Sequence, residues 1–455
     1  MLHRRRFLRS VALTAFAFPA LVRGQNLNSR LQLVQVGCGG KGADDIFQFK
    51  SHPKVRYVGF CDVDSNRFPA ADPDVPRFAD YRVMFEKIGA GFDAAVISTP
   101  DHMHALPALR AMRMRKHVYL QKPLAHDLWE ARELRLAARR HGVRTQMGNQ
   151  IHSASEYRTA VALIRSGRIG KVTAVHSWQG NPGNMCTGRT DRPAPAPVPG
   201  NLAWDLWLGG AEARPYAPGA YHPGFWRDWK AFGGGTIGDF GCHILDPVFC
   251  ALDLTAPISV VAENSGLHPE TWSVSQTIRF IFPGTPLTGG RTVPVTWHDG
   301  GRQPDVALAR LPAGAALPAQ GSLFIGERGT MVLPHFSMPS LYPVETFGIT
   351  LSPGDAARRK RRLAAGEKDD RKVAEIEPVP ERHHYHDWVD AALGGPETTA
   401  NFAYAGLLTE AVLLGTIATQ FPGQELRWDA PGLRITNHAA AQALVRRPWR
   451  EGWTA

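Results

Sequence analysis

The segment at positions 37–42 reads Gly-Cys-Gly-Gly-Lys-Gly and has the G-x-G-x-x-G spacing that lets a backbone approach a dinucleotide pyrophosphate closely. An apolar run at 31–36 precedes it, and a segment of helical composition follows it. Asp62 ends the next β-rich run, where a carboxylate can accept hydrogen bonds from the adenosine ribose and repel a 2′-phosphate. The sequence therefore predicts an NAD site, with NADP as the alternative because Arg67 is close by.

Lys122 comes just after the apolar run 117–120, at the carboxyl edge where a doubly wound sheet opens its ligand crevice. An ammonium group there can bind both the nicotinamide ribose and a substrate oxygen. It would also stabilise an alkoxide that forms as hydride leaves. The proline that follows Lys122 disfavours a helix at this point.

Asp239 and His243 stand four residues apart, so they share one face if the segment 236–249 is helical. An imidazole with an ordinary pKa of ~6.5 can take a proton from a hydroxyl group. Asp239 would then bind the substrate or orient the histidine. From the residues alone, an ordinary helix surface explains this pair equally well. Two ligands are weak evidence for a metal, and hydride transfer needs none, so we predict no metal site.

A segment rich in tryptophan, at 204–229, lies between the two predicted halves of the chain. Aromatic faces with interspersed donors suit carbohydrate, although most tryptophans are core residues. We predict three substrate contacts here: Tyr221, His222 and Arg227. The run His-His-Tyr-His-Asp at 383–387 invites a metal interpretation, but we predict that it starts a helix with an exposed face.

Strands and helices alternate before position 150, which predicts an α/β, doubly wound parallel sheet. The predicted strands are 31–36, 55–61, 94–98, 117–120 and 143–147, and the clearest helices are 105–114 and 128–141. After a helix at 155–166, strand-like runs follow one another without helices, which predicts an α+β second domain with a largely antiparallel, open sheet. Two helices near the end are predicted at 386–393 and 404–419, and the second is apolar nearly all round. The predicted units are a leader at 1–24, a nucleotide domain at 30–150 and a substrate and oligomerisation domain at 151–455.

The first residues have the features of a twin-arginine export signal. A basic stretch, Arg-Arg-Arg-Phe-Leu-Arg at 4–9, precedes an apolar stretch at 11–21 that is too short to span a bilayer. We therefore expect the twin-arginine export machinery as a partner, a periplasmic or exported location and no stable membrane anchor. That route carries folded proteins, so a nicotinamide enzyme using it would hold its cofactor tightly. A disulfide among Cys186, Cys242 and Cys250 is left open.

The formal charge of +11 does not indicate nucleic-acid binding. Five arginines belong to the predicted leader, and subtracting them leaves +6. Much of the remainder sits in the basic run at 358–362, which acidic residues follow closely, so we predict a solvated loop.

Several motifs together resemble the Gfo/Idh/MocA oxidoreductases, from position 31 onward. They include Ser-Thr-Pro-Asp-His-Met-His at 98–104, Gln-Lys-Pro at 121–123 and Gly-Asp-Phe-Gly-Cys-His at 238–243. The segments 146–150 and 204–209 and the run Arg-Glu-Gly-Trp at 450–453 resemble an exported subgroup. One departure is Gln121, where many members carry glutamate.

The resemblance implies a Rossmann-like nucleotide domain, a second domain whose open sheet face joins subunits into a homo-oligomer, and a catalytic set. That set is Lys122, Asp239 and His243. The implied cofactor contacts are Gly37, Gly39, Gly40, Gly42, Asp62, Thr99, Pro100, His104, Gln121, Lys122 and Asn149.

The leading hypothesis is an NAD(P)-dependent oxidoreductase that acts on a hydroxyl of a sugar, glycoside or cyclitol and holds its cofactor tightly. A second hypothesis is an NAD-dependent glycoside hydrolase that works by transient oxidation, elimination, hydration and re-reduction. A third is a sugar-binding protein without turnover, against which the intact lysine, aspartate and histidine count.

Overall fold

The computed structural model describes residues 30–182, 185–374 and 376–454 of the chain. The predicted leader at 1–24 lies outside these residues. Within the described residues, no helix combines the length and apolar character needed to cross a bilayer.

The first half of the chain forms a six-stranded parallel sheet with the order β3-β2-β1-β4-β5-β6. Adjacent residues of its central strand face different clusters, with Leu33 packed on one side and Val34 on the other. Because both faces are covered, the strands are apolar along most of their length. This confirms the predicted doubly wound sheet. The strands are β1 Leu31–Val36, β2 Val55–Cys61, β3 Arg77–Phe78, β4 Ala94–Ile97, β5 His117–Gln121 and β6 Thr145–Gly148, and the helices are α1 Lys41–Lys50, α2 Tyr81–Ile88, α3 Ala105–Arg113 and α4 Leu128–His141.

The second half of the chain contains a nine-stranded sheet with the order β13-β12-β11-β7-β10-β9-β8-β14-β15. Its neighbouring strands are antiparallel except β7 and β10, which confirms the largely antiparallel prediction. The strands are β7 Val172–Gln179, β8 Ser259–Asn264, β9 Gln276–Phe282, β10 Val293–Asp299, β11 Gln320–Gly326, β12 Thr330–Pro334, β13 Ser340–Tyr342, β14 Leu426–Asp429 and β15 Arg434–Ile435. The helices are α5 Ser155–Arg165, α6 Trp204–Leu208, α7 Gly235–Ile244, α8 Asp246–Leu252, α9 Val344–Phe347, α10 Pro353–Ala364, α11 His384–Ala392, α12 Phe402–Ala418 and α13 Ala439–Ala443.

The segment 236–249, predicted as one helix, is two helices that are separated at Leu245. Pro247 lies in the first turn of α8, where its missing N–H costs nothing, but it could not continue α7 as an interior residue. Asp239 and His243 both lie in α7, as the four-residue spacing predicts.

Helix α12 joins the two halves of the molecule. It is buried along nearly its whole length and packs against α4 on one side and α7 on the other. Its Glu410 carboxylate accepts hydrogen bonds from Arg132 Nη2 of α4 at 2.9 Å and from Trp428 Nε1 at 2.9 Å. The helix thus contacts both halves, as its apolar character nearly all round allows.

Two local predictions need correction. The basic run at 358–362 is part of the exposed helix α10 and not a loop, with Ser352 as its N-cap. The run at 383–387 does start a helix, α11, but His384 and Tyr385 are buried. All five cysteines are free thiols, and Cys38 and Cys61 are buried in the core of the first half.

Leu408→Ala in α12 should lower the free energy of unfolding by about 2–5 kcal/mol, because Leu408 is fully buried and the truncation leaves a cavity. Urea denaturation followed by circular dichroism measures this change. Leu407→Ala, in the same helix but at a partly exposed position, is the matched control and should cost much less. Equal losses for the two variants would contradict the central place of α12 in the core.

Candidate active site

A cleft of about 440 Å³ opens at the carboxyl ends of β1, β2, β4 and β5. The segment His222–Arg227, helix α6 and Trp453 form its opposite wall. Ligands of doubly wound sheets bind at this edge. Eight of the predicted cofactor contacts line the cleft: Gly37, Gly39, Gly40, Asp62, Thr99, Pro100, Gln121 and Lys122.

The glycine loop fits a dinucleotide pyrophosphate. A Cβ on Gly42 would lie 2.1 Å from the Gly37 carbonyl oxygen, so only glycine allows α1 to pack this closely on β1. Gly42 itself does not line the cleft. Helix α1 begins at Lys41 without a side-chain cap, so no side-chain acceptor offsets the positive end of its dipole. The N–H groups of Gly42 and Ala43 donate to Gly39 O at 3.0 Å and to Gly40 O at 3.1 Å.

Asp62 is fixed at the end of β2 by the backbone around it. Its two carboxylate oxygens accept hydrogen bonds from Cys38 N at 2.7 Å and Asp64 N at 2.9 Å. Arg67 donates to the Asp64 carboxylate at 3.2 Å, so its charge is already paired. A carboxylate on the cleft wall beside a neutralised arginine favours a ribose hydroxyl over a 2′-phosphate.

The turn after β4 offers a buried, unpaired hydroxyl. Thr99 Oγ1 has no hydrogen-bond partner among the described residues, and Thr99 lines the cleft, which suits a polar group of a bound cofactor. His104, predicted as a cofactor contact, is instead buried with its ring nitrogens 2.6 Å from Pro123 O and 2.8 Å from Thr99 O. Burial lowers the pKa of His104 to about 4, although both carbonyl contacts favour the charged ring. The neutral ring has one N–H and therefore donates to only one of the two carbonyls.

The departure at Gln121 is explained by Asp45 in α1. The Gln121 Nε2 group donates to the Asp45 carboxylate at 2.8 Å, and Ser98 Oγ and Tyr385 OH donate to it at 2.7 and 3.0 Å. Lys41 Nζ lies 3.3 Å from the same fully buried carboxylate. A glutamate at position 121 would place two carboxylates in contact, which disfavours ionisation of both. The amide is therefore the compatible residue.

Lys122 is bound to Asp239 across the two halves of the molecule. Its Nζ donates to Asp239 Oδ1 at 2.6 Å and to Asp239 O at 2.8 Å, and Arg227 Nε donates to the same Oδ1 at 2.9 Å. Burial alone would raise the pKa of Asp239, but the charges of Lys122 and Arg227 hold it well below its usual value. One carboxylate is thus shared by two cations.

His243 is oriented by Asn149 and not by Asp239. His243 Nδ1 lies 2.5 Å from Asn149 Oδ1, and Asn149 Nδ2 donates to Cys242 O at 2.9 Å. Because the amide nitrogen is engaged by a carbonyl, its oxygen must accept the Nδ1 proton, which leaves Nε2 as the basic nitrogen. Burial, reinforced by Lys122, lowers the pKa of His243 well below its ordinary value. Asn149, predicted as a cofactor contact, acts here on the histidine.

Two family models match the chain. One, described as an oxidoreductase family with an NAD-binding Rossmann fold, matches residues 31–149. The other, described as the C-terminal alpha/beta domain of the same family, matches residues 166–285. The chain belongs to the Gfo/Idh/MocA oxidoreductase family. Its first sheet is therefore an NAD-binding Rossmann domain, as predicted.

Individual relatives match smaller parts of the chain. A 1,5-anhydro-D-fructose reductase from Ensifer adhaerens is 39% identical over 82 residues, covering 18% of this chain and 25% of the relative. A 2,7-anhydro-N-acetylneuraminate hydratase from Mediterraneibacter gnavus is 27% identical over 142 residues, covering 31% of this chain and 37% of the relative. The chain thus spans between a quarter and two-fifths of these curated relatives.

Likeness to solved structures extends further along the chain. The WlbA dehydrogenase from Bordetella pertussis, solved with NADH and UDP-GlcNAcA, superposes with a TM-score of 0.57 at 16% identity. The superposition covers 88% of this chain and 99% of that one, so the two share a fold.

Two of the three predicted substrate contacts line the cleft of this Gfo/Idh/MocA protein. His222 Nε2 lies 3.0 Å from Asp64 Oδ2, and the Arg227 guanidinium stacks 4.2 Å from the Trp226 ring centroid. Tyr221 does not line the cleft, because its ring is buried among aromatic neighbours. Because Tyr221 and His222 are adjacent in the sequence, the sequence alone does not show that His222 lines the cleft and Tyr221 does not.

Two groups beside the site were not predicted. Asp101 lines the cleft, and burial raises its pKa to about 7, although Arg227 and Lys122 act against that rise. His335 follows β12, with its ring centroid 6.0 Å from that of His243 and its Nδ1 2.6 Å from Tyr157 OH. Asp101 stands inside a motif that was recognised as a whole, whereas nothing in the sequence around His335 connects it with the site.

A group of three residues, the buried His152 and Asp246 and the half-buried Cys250, has metal-ligand residue types. The ligand atoms of His152, Asp246 and Cys250 lie within 4.8 Å of one another. However, His152 Nδ1 contacts both Asp246 oxygens at 2.9 Å, and Nε2 lies 2.9 Å from Thr399 Oγ1. Burial opposes a charge on His152, but Asp246 raises its pKa to about 10. The group is a hydrogen-bonded ion pair that supports the start of α8.

Asp62→Ala should raise the Kd for NADH about tenfold to a hundredfold, because charge-assisted hydrogen bonds to the ribose are lost. The Kd for NADPH should rise less than the Kd for NADH, so the preference of the protein for NADH over NADPH becomes smaller. Fluorescence titration with each nucleotide measures both effects. Asp74→Ala, at an exposed site outside the cleft, is the control. If the ratio of the Kd values for NADH and NADPH did not change, Asp62 would not determine which nucleotide the protein prefers.

Proposed function

We propose that the protein is an NAD(P)-dependent oxidoreductase that acts on a CH–OH group of a sugar, glycoside or cyclitol. The observation that carries this proposal is the contact of Lys122, on the NAD cleft, with α7, which also supplies His243. A cation and a neutral imidazole are thereby held beside the carboxyl edge of an NAD-binding domain.

Each side chain has a defined task in this scheme. When bound, the nicotinamide ring accepts or returns the hydride. His243 takes the hydroxyl proton at Nε2, since Asn149 holds the proton on Nδ1. Lys122 has three N–H groups and gives two to Asp239, so one remains for the substrate oxygen. That N–H stabilises the developing alkoxide.

The proposal includes a tightly held cofactor, export and self-association. The predicted twin-arginine leader at 1–24 supports export of a folded and loaded protein to the periplasm or beyond. The wall of the cleft formed by His222–Arg227 and Trp453 supports retention, because it offers a bound cofactor contacts in addition to those of the sheet edge. Association of copies through the open face of the second sheet follows from the family resemblance alone.

A net hydrolytic or hydrating reaction is the second candidate. The relative from Mediterraneibacter gnavus is named as a hydratase, so one protein that is similar to this chain is named for the addition of water. The same lysine and histidine would serve a transient oxidation, followed by elimination, water addition and re-reduction. A retained cofactor suits this cycle because it ends as it began.

Mass spectrometry of products from a panel of sugars, aryl glycosides and cyclitols tests the proposal. The expected product is a ketone or lactone, with NADH formed or passed to a second substrate. Release of the free phenol without a ketone identifies the hydrolytic cycle instead. Lys122→Ala and His243→Ala should each lower kcat about 10²–10⁴-fold while NADH still binds. Lys171→Ala and His141→Ala are surface controls, and full turnover in either active-site variant would rule out the scheme.

The pH dependence of kcat/KM should have its acid limb below about pH 6.5, the ordinary pKa of histidine. The pKa of His243 is lowered, so the imidazole remains a neutral base as the pH falls through 6.5 and loses activity only on protonation below it. Lys122→Met removes a repelling charge and should raise this pKa, which NMR titration of the His243 ring measures without turnover. An acid limb of kcat/KM above pH 6.5, or a lower His243 pKa in Lys122→Met, would contradict the buried position of His243 beside Lys122.

A further inference from the structure

The run Arg-Glu-Gly-Trp at 450–453 has no role in the chemistry described above, yet it reaches the cofactor cleft. Trp453 is 6% exposed, and its side chain lines the cleft together with Asp62 and Tyr81. Those two residues belong to the β2 and α2 side of the sheet, away from Lys122 at the end of β5. Trp453 contacts Arg82 in the first turn of α2, so the indole lies on this side of the cleft, where we expect Asp62 to bind the adenosine ribose.

The indole is held firmly in that position. The Arg82 guanidinium stacks 4.1 Å from the Trp453 ring centroid and is itself fixed by Asp80, with Nε 3.0 Å from Oδ1 and Nη2 2.7 Å from Oδ2. Gly452 has a φ of 80°, which lets the chain turn so that Trp453 N donates to Arg450 O at 3.1 Å. A planar ring with such backing is preorganised to contact another planar group.

Arg450 anchors the segment to helix α6 and the two glycines that follow it. Its backbone N donates to Gly210 O at 2.9 Å and its Nε to Gly209 O at 3.1 Å, both at the end of α6. Its Nη1 and Nη2 groups donate to Asp205 Oδ1 at 2.6 Å and to Asp205 O at 3.1 Å. Because α6 also lines the cleft, this anchor fixes Trp453 relative to the rest of the same wall.

A second anchor connects the segment to the N-terminus of α4. Trp449 Nε1 donates to Glu130 Oε1 at 2.8 Å, and Arg447 N donates to Asp127 Oδ2 at 3.0 Å. The segment 447–453 is thus bound to α4, to α6 and to Arg82 at the start of α2. A nucleotide that contacts Trp453 would therefore contact a segment that is fixed at three places.

We propose that Trp453 is a cofactor-binding residue that contacts the adenosine half of the dinucleotide, and that the 447–453 segment slows dissociation of the cofactor. Aromatic side chains bind purine bases by stacking, with little dependence on their polar edges. The proposal rests on the NAD-binding domain and is independent of the reaction catalysed at Lys122 and His243.

Binding measurements on the full-length protein test this proposal without turnover. Trp453→Ala should raise the Kd for both NADH and ADP-ribose about tenfold or more, and it should speed NADH release in stopped-flow displacement. Reduced nicotinamide mononucleotide, which lacks the adenosine, should bind the variant and the wild type equally. Trp453→Phe should recover most of the affinity. Glu451→Ala, in the same segment but exposed, is the matched control and should behave as wild type.

A second variant tests the proposal even if Trp453→Ala does not fold. The Asp205 side chain is 75% exposed, so Asp205→Ala should leave the fold intact while removing one partner of Arg450. It should speed NADH release with little effect on nicotinamide mononucleotide. Unchanged release from both Trp453→Ala and Asp205→Ala would overturn the proposal. An equal loss of affinity for NADH and the mononucleotide would also overturn it, since the effect would then not depend on adenosine.

Discussion

The site depends on one shared carboxylate. Asp239 lies on α7, in the half of the molecule that carries the second sheet, and it binds Lys122 from the Rossmann edge and Arg227 from the covering wall. Without it, two cations would face each other in a partly buried space, which costs far more than a surface repulsion. The contact therefore sets the position of α7 relative to the cleft. Because His243 is one turn further along α7, the same contact places the proposed base.

A second carboxylate, the fully buried Asp45, connects the elements that carry the residues of the cleft edge. Asp45 binds Gln121 of β5, Ser98 of the turn after β4 and Tyr385 of α11. Three elements far apart in the sequence thus have one common acceptor. The presence of glutamine at position 121 follows from this arrangement. Because the negative charge lies on Asp45 of α1, the end of β5 supplies a hydrogen-bond donor, Gln121, and not a second acid.

The architecture could be predicted because both sheets produce regular patterns. Buried strands such as 31–36 and the helix 128–141 were predicted with the boundaries that the structure shows, since burial dictates an uninterrupted apolar run or a 3.6-residue period. The two-residue strand β3 was too short to have a pattern. At the site, residue types at strand ends were informative, but side-chain direction was not. Asn149 contacts His243 and His104 contacts backbone carbonyls because of tertiary neighbours that no local pattern reveals.

The arrangement of donors and acceptors bears on the choice between net oxidation and net hydration. The proposed site presents one remaining N–H of Lys122 and one basic nitrogen of His243 to a hydroxyl-bearing carbon. By microscopic reversibility, the same two groups return the proton and release the alkoxide when hydride comes back. Re-reduction therefore needs no additional residue. The difference between the two reactions must lie in what happens to the substrate while it is a ketone, because only there can a leaving group depart and water add. The groups that decide it are those that face the carbons next to the oxidised one, and the cleft wall at His222 and Arg227 is where we expect them.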